Sequence, residues 1–130
     1  VEIDLIVRGI CCLIPGQTYS RNIRVTRIVD TFLEHARIWY FGNGGNPKLF
    51  LGSPDWMRRN LYRRIEAVTP ILDPDAKQEL IDMLSIQLSD KRKACFVDEN
   101  LRNCWKSAHP QKEKVRSQYT FYEYLKEKTE

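Results

Sequence analysis

Short strand-like stretches alternate along this chain with segments of helical spacing, and short connections join them. Strands are predicted at residues 2–7, 22–25, 36–41, 48–51, 65–70 and 94–97. Apolar residues at helical spacing predict helices at residues 28–35, 74–88 and 112–126, whereas residues 99–111 are expected to be mostly irregular. This order favours an α/β sandwich, with helices flanking a mixed β-sheet, over a helical bundle or an all-β barrel.

Two local signals support parts of this assignment. The turn-forming run at residues 43–47 separates two strand-like stretches and therefore predicts a hairpin. Asp73 is a good N-cap, and Pro74 suits the first position of the helix that follows. The apolar stripe of that helix is formed by Leu80, Ile81, Leu84 and Leu88.

Length and composition predict one compact domain, residues 1–130. With 42% apolar residues the chain can form a core, and no window approaches the roughly 18 apolar residues of a membrane span. The first residues contain neither an initiator Met nor a signal-peptide pattern. We therefore expect a soluble, cytoplasmic chain that is part of something longer.

Four cysteines stand at positions 11, 12, 95 and 104. They form no C-x-x-C pair, and neither His35 nor His109 has zinc-site spacing to any of them. We expect buried thiols in a reducing compartment and no metal site within the chain.

Positive charge is concentrated in the first half of the chain. The net charge is +4, but residues 1–64 contribute +5, and nine of their ten cations are arginines. Four of these arginines, at positions 58, 59, 63 and 64, cluster beside Trp56 and Tyr62. Arginine binds phosphate through two parallel bonds and aromatic rings can stack on bases, so the cluster suggests contacts to a polyanion. A solvated basic face is the alternative.

Arg8 and His35 are candidate site residues because of where they stand. Arg8 follows the first strand, and His35 lies at the junction between the helix predicted at residues 28–35 and the next strand. Strand ends are common places for ligand-binding groups in α/β proteins. The usual nucleotide-binding fingerprints are absent, and the glycines at residues 42–45 connect two strands rather than opening a helix.

Several ordered motifs in this chain resemble a known family. They are Ile6-Val7-Arg8-Gly9-Ile10-Cys11, Ile28-Val29-Asp30, Phe32-Leu33-Glu34-His35, Asn43-Gly44-Gly45, Asp55-Trp56-Met57, Arg59-Asn60-Leu61 and Val115-Arg116-Ser117-Gln118. Together they resemble the C-terminal domain of bacterial polyphosphate kinases over nearly the whole chain. The resemblance implies a phospholipase D-like α/β fold at the end of a polypeptide of about four domains.

The resemblance also implies an activity and a site. Family members reversibly transfer the terminal phosphate of ATP to inorganic polyphosphate through a phosphohistidine, and they use magnesium. The nucleophilic histidine and most of the magnesium site would lie in preceding domains, so the isolated chain should be inactive. Arg8 and His35 would contact the ATP phosphates, and Arg58, Arg59, Arg63 and Arg64 are possible polyphosphate contacts. The full-length enzyme is expected to be a homo-oligomer.

The chain departs from related patterns at three places. Family members commonly have S-S-A-D-W where this chain has residues 52–56, and V-D-R where it has residues 29–31. In the phospholipase D signature H-x-K-x-x-x-x-D, Arg37 replaces the lysine and Gly42 the aspartate. The last departure argues against phosphodiesterase activity. The main alternative to the kinase reading is a non-catalytic polyanion- or RNA-binding module, although nucleic acid is the less favoured partner.

Overall fold

The computed structural model describes residues 1–130 and divides them into two compact units. The first unit contains Val1–Phe32 and Met83–Glu130, and the second contains Leu33–Asp82. In chain order the elements are β1 (Ile3–Ile6), β2 (Ile23–Ile28), β3 (Arg37–Phe41), β4 (Lys48–Gly52), α1 (Arg58–Arg63), β5 (Val68–Pro70), α2 (Pro74–Ser89), β6 (Ala94–Val97), β7 (Asn103–Trp105) and α3 (Ser117–Thr129). Two short 3-10 turns lie at Asn43–Gly45 and Pro110–Lys112.

A four-stranded sheet forms the centre of the first unit, in the order β1-β2-β6-β7. β1 pairs with β2 in parallel, and the other two pairings are antiparallel, so the sheet is mixed. The buried apolar residues of this unit are Val25, Ile28, Ala94, Cys95 and Val97. They all lie on β2 and β6, the two central strands, so the core of this unit lies against the middle of its sheet.

The second unit has its own antiparallel sheet, in the order β3-β4-β5. Leu49 on the central strand β4 is its fully buried apolar residue. Gly52 ends β4 where there is no room for a side chain, because an added Cβ would lie 2.8 Å from the main-chain oxygen of Ala67. The hairpin predicted around residues 43–47 is confirmed, with Tyr40 opposite Leu49.

The prediction of the second helix is also confirmed. The carboxylate of Asp73 accepts a hydrogen bond from the main-chain N–H of Ala76 at 2.8 Å, as an N-cap residue does. Three residues of the predicted stripe, Leu80, Ile81 and Leu84, are half-buried, whereas Leu88 is exposed. No helix of the chain is both long enough and apolar enough to cross a membrane.

The helix predicted at residues 28–35 does not form. Ile28 is the buried last residue of β2, where it pairs with Ala94, and no regular element lies between β2 and β3. Val29, Phe32 and Leu33, which should have formed the apolar stripe, are exposed. Strand pairing and the side-chain bonds of Asp30 therefore override the helical spacing.

Three further predictions need correction. The strand predicted at residues 65–70 is shorter than expected and comprises only β5. The arginine-rich segment before it forms the helix α1. This helix has no apolar stripe from which it could be predicted, because its buried residue is Asn60. Residues 99–111 include β7 as an edge strand. The final helix begins at Ser117 rather than near residue 112.

The cysteines are free, as expected, but only Cys95 is buried. Burial raises the pKa of the Cys95 thiol. Cys12 and Cys104 are exposed and Cys11 is half-buried, so the prediction of buried thiols is wrong for these three.

Candidate functional site

Arg8 lies just beyond β1 in the first unit. The main-chain N–H of Val7 donates to the carbonyl of Thr26 at 2.9 Å, so the pairing with β2 continues one residue past the strand. Arg27 then donates to the carbonyl of Gly9 at 3.2 Å and to Asn103 at 2.9 Å. The backbone on both sides of Arg8 is therefore fastened, while the Arg8 side chain is exposed.

Asp30 anchors the chain just after β2. Its side chain is only 1% exposed, and Arg116 donates to both carboxylate oxygens, at 2.8 and 2.6 Å. The main-chain N–H of Thr31 adds a third bond of 2.8 Å. The bonds from Arg116 hold the pKa of Asp30 below its usual value. Lys93 contributes a weaker attraction from 4.0 Å.

Gln118 holds Phe32 by both of its main-chain groups. The side-chain oxygen of Gln118 accepts from the Phe32 N–H at 2.9 Å, and its nitrogen donates to the Phe32 carbonyl at 2.8 Å. The rings of Phe32 and Tyr119 lie 6.1 Å apart, and the Arg116 guanidinium stacks over Tyr119. We call Arg116 and Gln118, with the segment 30–32 that they bind, the clamp.

Asp90 fixes the start of α3, from which the clamp extends. This fully buried carboxylate accepts from the main-chain N–H of Ser117 at 2.8 Å through one oxygen. Its other oxygen accepts from the N–H groups of Arg92 and Lys93, both at 2.8 Å. With these three partners, the buried Asp90 carboxylate holds residues 90–93 and the start of α3 together.

His35 is exposed and lies in the second unit, two residues before β3. Its main-chain oxygen accepts a hydrogen bond from Arg37. Arg37 also donates to one oxygen of Asp55, at 3.0 and 3.1 Å. Arg37, which replaces the lysine of the phospholipase D signature, therefore pairs with Asp55 and holds the backbone beside His35.

The segment around α1 is tied to the sheet through Glu66. One carboxylate oxygen of Glu66 accepts from Ser53 and the other from Asn60 at 2.7 Å. These two bonds lower the pKa of Glu66. The hydroxyl of Ser53 also accepts from the N–H of Ala67 at 3.3 Å. The predicted motif Arg59-Asn60-Leu61 thus contributes Asn60 as the residue that attaches α1.

The four clustered arginines are all exposed, three on α1 and Arg64 directly after it. Because the segment is helical, Arg59 and Arg63 lie one turn apart on one face, a placement that a strand would not give. Arg58 and Arg63, with Leu61 and Tyr62, line an open cavity of about 640 Å³. The ion pairs of the protein use other arginines, at positions 24, 37, 102 and 116.

The clamp is the feature that the sequence did not reveal. Its parts were visible as the motifs Ile28-Val29-Asp30, Phe32-Leu33-Glu34-His35 and Val115-Arg116-Ser117-Gln118, with no role attached to Asp30, Phe32, Arg116 or Gln118. The structure joins them across 86 residues of sequence. No group of three or more His, Cys, Asp or Glu side chains is arranged to hold a metal ion.

Comparisons with known proteins agree with one another. A family model described as polyphosphate kinase C-terminal domain 2 matches residues 1–118. The polyphosphate kinase of Synechocystis sp. is 58% identical over 95 residues, covering 72% of this chain and 13% of that protein. The polyphosphate kinase of Escherichia coli K12 is 46% identical over 127 residues, covering 97% of this chain and 18% of that protein.

A solved structure is also similar to this chain. The crystal structure of polyphosphate kinase from Porphyromonas gingivalis aligns with a TM-score of 0.93 and 57% sequence identity. The alignment covers 98% of this chain and 20% of that one. The predicted α/β, phospholipase D-like fold class is confirmed. The chain spans about one fifth or less of the length of each of these relatives.

Proposed function

Because this chain belongs to the polyphosphate kinase family through C-terminal domain 2, we propose that it supplies part of the site for reversible phosphoryl transfer between ATP and inorganic polyphosphate. In this proposal residues 1–130 act as the last domain of a longer polypeptide, with its preceding domains as partners. What carries the proposal is the presence of Arg8 and His35, both exposed, on backbone segments fastened by side-chain bonds.

Arg8 is assigned the binding of phosphate oxygens. Phosphoryl transfer depends mainly on positioning and on neutralising charge that spreads over the transferring group. A guanidinium stays charged and can bond two phosphate oxygens at once, which suits both tasks. The fastened backbone on both sides of Arg8 supports this role, because it fixes the point from which the guanidinium reaches a phosphate.

His35 is assigned a hydrogen bond or a proton to a phosphate of ATP. An imidazole can donate to a phosphate oxygen whether neutral or charged, and it can transfer a proton near neutral pH. The side chain is exposed, and Arg37 fixes the adjacent carbonyl without occupying the ring. This arrangement leaves the imidazole available to a ligand.

The arginines of the α1 segment are assigned to the polyphosphate chain. Arg58, Arg59, Arg63 and Arg64 are exposed cations on a short helix and its end, with Tyr62 among them. A linear polyanion gains affinity from several such contacts in sequence, through release of its counterions. The cluster therefore suits a long, flexible phosphate chain better than a single phosphate group.

No three His, Cys, Asp or Glu side chains are grouped, so residues 1–130 do not form a complete metal cage of their own. We assign most of the magnesium site, and the histidine that becomes phosphorylated, to parts of the polypeptide outside residues 1–130. The full-length enzyme is proposed to be a cytoplasmic homo-oligomer.

The test is mutation of both residues in a full-length polyphosphate kinase that carries this domain. Arg8→Ala and His35→Ala should each lower the rate of polyphosphate synthesis by roughly 100- to 1000-fold, as loss of one preorganised donor does. Arg8→Lys should recover only part of the rate. Arg21→Ala, an exposed arginine outside the motifs, is the control. A folded double variant, Arg8→Ala with His35→Ala, that works at the normal rate would refute the assignment.

A further inference from the structure

The segment that leads to His35 has no secondary structure of its own. Residues 29–36 lie between β2 and β3 and belong to no helix or strand. Such a segment needs other partners for its main-chain groups if it is to keep one conformation. The Gln118 side chain binds both main-chain groups of Phe32, which lies three residues before His35.

The clamp restrains this segment at two successive points. Gln118 binds the N–H and the carbonyl of Phe32, so it fixes the direction of the peptide as well as its position. Arg116 binds both oxygens of Asp30 with its planar fork, and it adds a bond of 2.9 Å to the Thr31 hydroxyl. Neither residue is exposed, and Ser117 between them is held by Asp90.

We infer that Arg116 and Gln118 are positioning residues for His35. They hold the backbone of residues 30–32 in one conformation. His35 follows three residues later in the chain, so this anchoring limits where its imidazole can lie. This inference rests on the proposed role of His35 at the ATP phosphates. Misplacing a catalytic group by about 1 Å can lower a rate by about 100-fold, so a loosened clamp has a measurable cost.

The experiment is a double-mutant cycle in the full-length enzyme. Gln118→Leu removes both bonds to Phe32 and keeps a side chain of similar length. We expect it to lower kcat for polyphosphate synthesis by roughly tenfold or more when His35 is present, and by less than about twofold in the His35→Ala background. In the Arg8→Ala background it should keep its full effect.

Two further measurements separate positioning from general damage. Amide hydrogen exchange at residues 30–36 should accelerate in Gln118→Leu, because the Phe32 N–H loses its acceptor. Gln111→Leu removes an exposed glutamine from the 3-10 turn ahead of α3 and should change neither exchange nor kcat. Arg116→Lys keeps the cation but not the fork, and its loss of kcat should also depend on His35. This variant replaces Gln118→Leu if the latter does not fold.

The outcomes distinguish the inference from the function on which it rests. If His35→Ala alone leaves the rate unchanged, the proposed function of His35 fails, and positioning fails with it. If His35→Ala lowers the rate but the effect of Gln118→Leu is equally large in both backgrounds, only the positioning inference is overturned. Unchanged exchange at residues 30–36 in a folded Gln118→Leu variant would overturn it as well.

Discussion

The two compact units differ in where they place their apolar side chains. The first unit holds Val25, Ile28, Ala94, Cys95 and Val97 in its core, whereas the second fully buries one apolar residue, Leu49. Both units expose large apolar side chains, but the second exposes more for its size: eleven in 50 residues against twelve in 80, with Trp56, Met57, Leu61, Tyr62, Ile65 and Leu72 among the eleven. For its size, the second unit therefore buries fewer apolar side chains than the first and exposes more of them.

The same contrast holds for charge. In the first unit the buried carboxylates of Asp30 and Asp90 each hold a loop and the start of α3. In the second, Asp55 and Glu66 are half-buried, and the arginine cluster faces outward. The comparison indicates that buried carboxylates hold the backbone in place, whereas the arginines that could bind a ligand lie at the surface.

The largest expected effect concerns the small core of the second unit. Leu49→Ala should lower the free energy of unfolding by about 2 to 5 kcal/mol, since Leu49 is 1% exposed and its removal leaves a cavity. Leu72→Ala, in the same unit and 80% exposed, should change it by less than about 0.5 kcal/mol. Urea unfolding measures both. Equal losses would remove the distinction between core and surface in this unit.

Gly52→Ala should have the next largest effect. The new Cβ would lie 2.8 Å from the Ala67 carbonyl and 2.9 Å from atoms of Trp39 and Val68, so the end of β4 must shift. We expect a loss of about 1 to 3 kcal/mol in unfolding free energy. Gly42→Ala is the matched control, because its Cβ would meet nothing within 4 Å and its φ is −62°. A neutral Gly52→Ala would contradict the close packing seen there.

Asp30→Asn tests the buried pair of the first unit. At neutral pH it should cost about 1 to 3 kcal/mol, because Arg116 loses a charged partner. The lowered pKa of Asp30 means that the pair stabilises the protein above about pH 4, the usual Asp value, and that this contribution is lost as pH falls through the folded-state pKa. Asp30→Asn should therefore flatten the acid limb of stability against pH.

The control for Asp30 is Asp4→Asn. Asp4 forms a similar two-bonded pair with Arg24, but both side chains are more than one third exposed. Its removal should cost less than about 1 kcal/mol and change the acid limb only slightly. If Asp4→Asn and Asp30→Asn behave alike in urea unfolding at pH 7 and pH 3, burial does not distinguish the two pairs.

The smallest effect is expected at the surface of the second unit. Arg58→Ala with Arg63→Ala should weaken polyphosphate binding, and it should lower the salt slope of log affinity by roughly 0.7 to 0.9 for each arginine that contacts a phosphate. Arg21→Ala, an exposed arginine of the first unit, should leave the slope unchanged. Titrations with polyphosphate and single-stranded RNA at two salt concentrations measure it. Tighter, base-dependent RNA binding would instead favour the RNA-binding alternative.

Local signals in the sequence were sufficient for some elements. The turn residues 43–47 predict the β3–β4 hairpin. The Asp73 cap and the apolar stripe predict α2. Both predictions succeed because turns and caps are determined within a few residues. The prediction of a helix at residues 28–35 was wrong because Ile28 pairs with Ala94 in the sheet. Ala94 is distant in sequence, so no local pattern indicates this pairing. α1 was missed because its buried residue is polar.

The candidate site divides in the same way. Arg8 and His35 could be proposed from motifs, and their roles stay predictions until the variants are measured. The clamp could not be proposed, because hydrogen bonds between residues 86 apart leave no periodicity in the sequence. Its residues were recognisable only as matches to a family, without the physical reason for their presence.

The span of the clamp has a consequence for how the protein matures on the ribosome. Phe32 is synthesised 86 residues before Gln118, so its N–H and carbonyl wait for their partner while the chain grows. At about 5 to 20 residues per second, the delay is roughly 4 to 17 seconds. A nascent chain can therefore present His35 long before the backbone ahead of it is fixed, and a ribosome that stalls within α2 or β6 leaves a chain whose clamp cannot close.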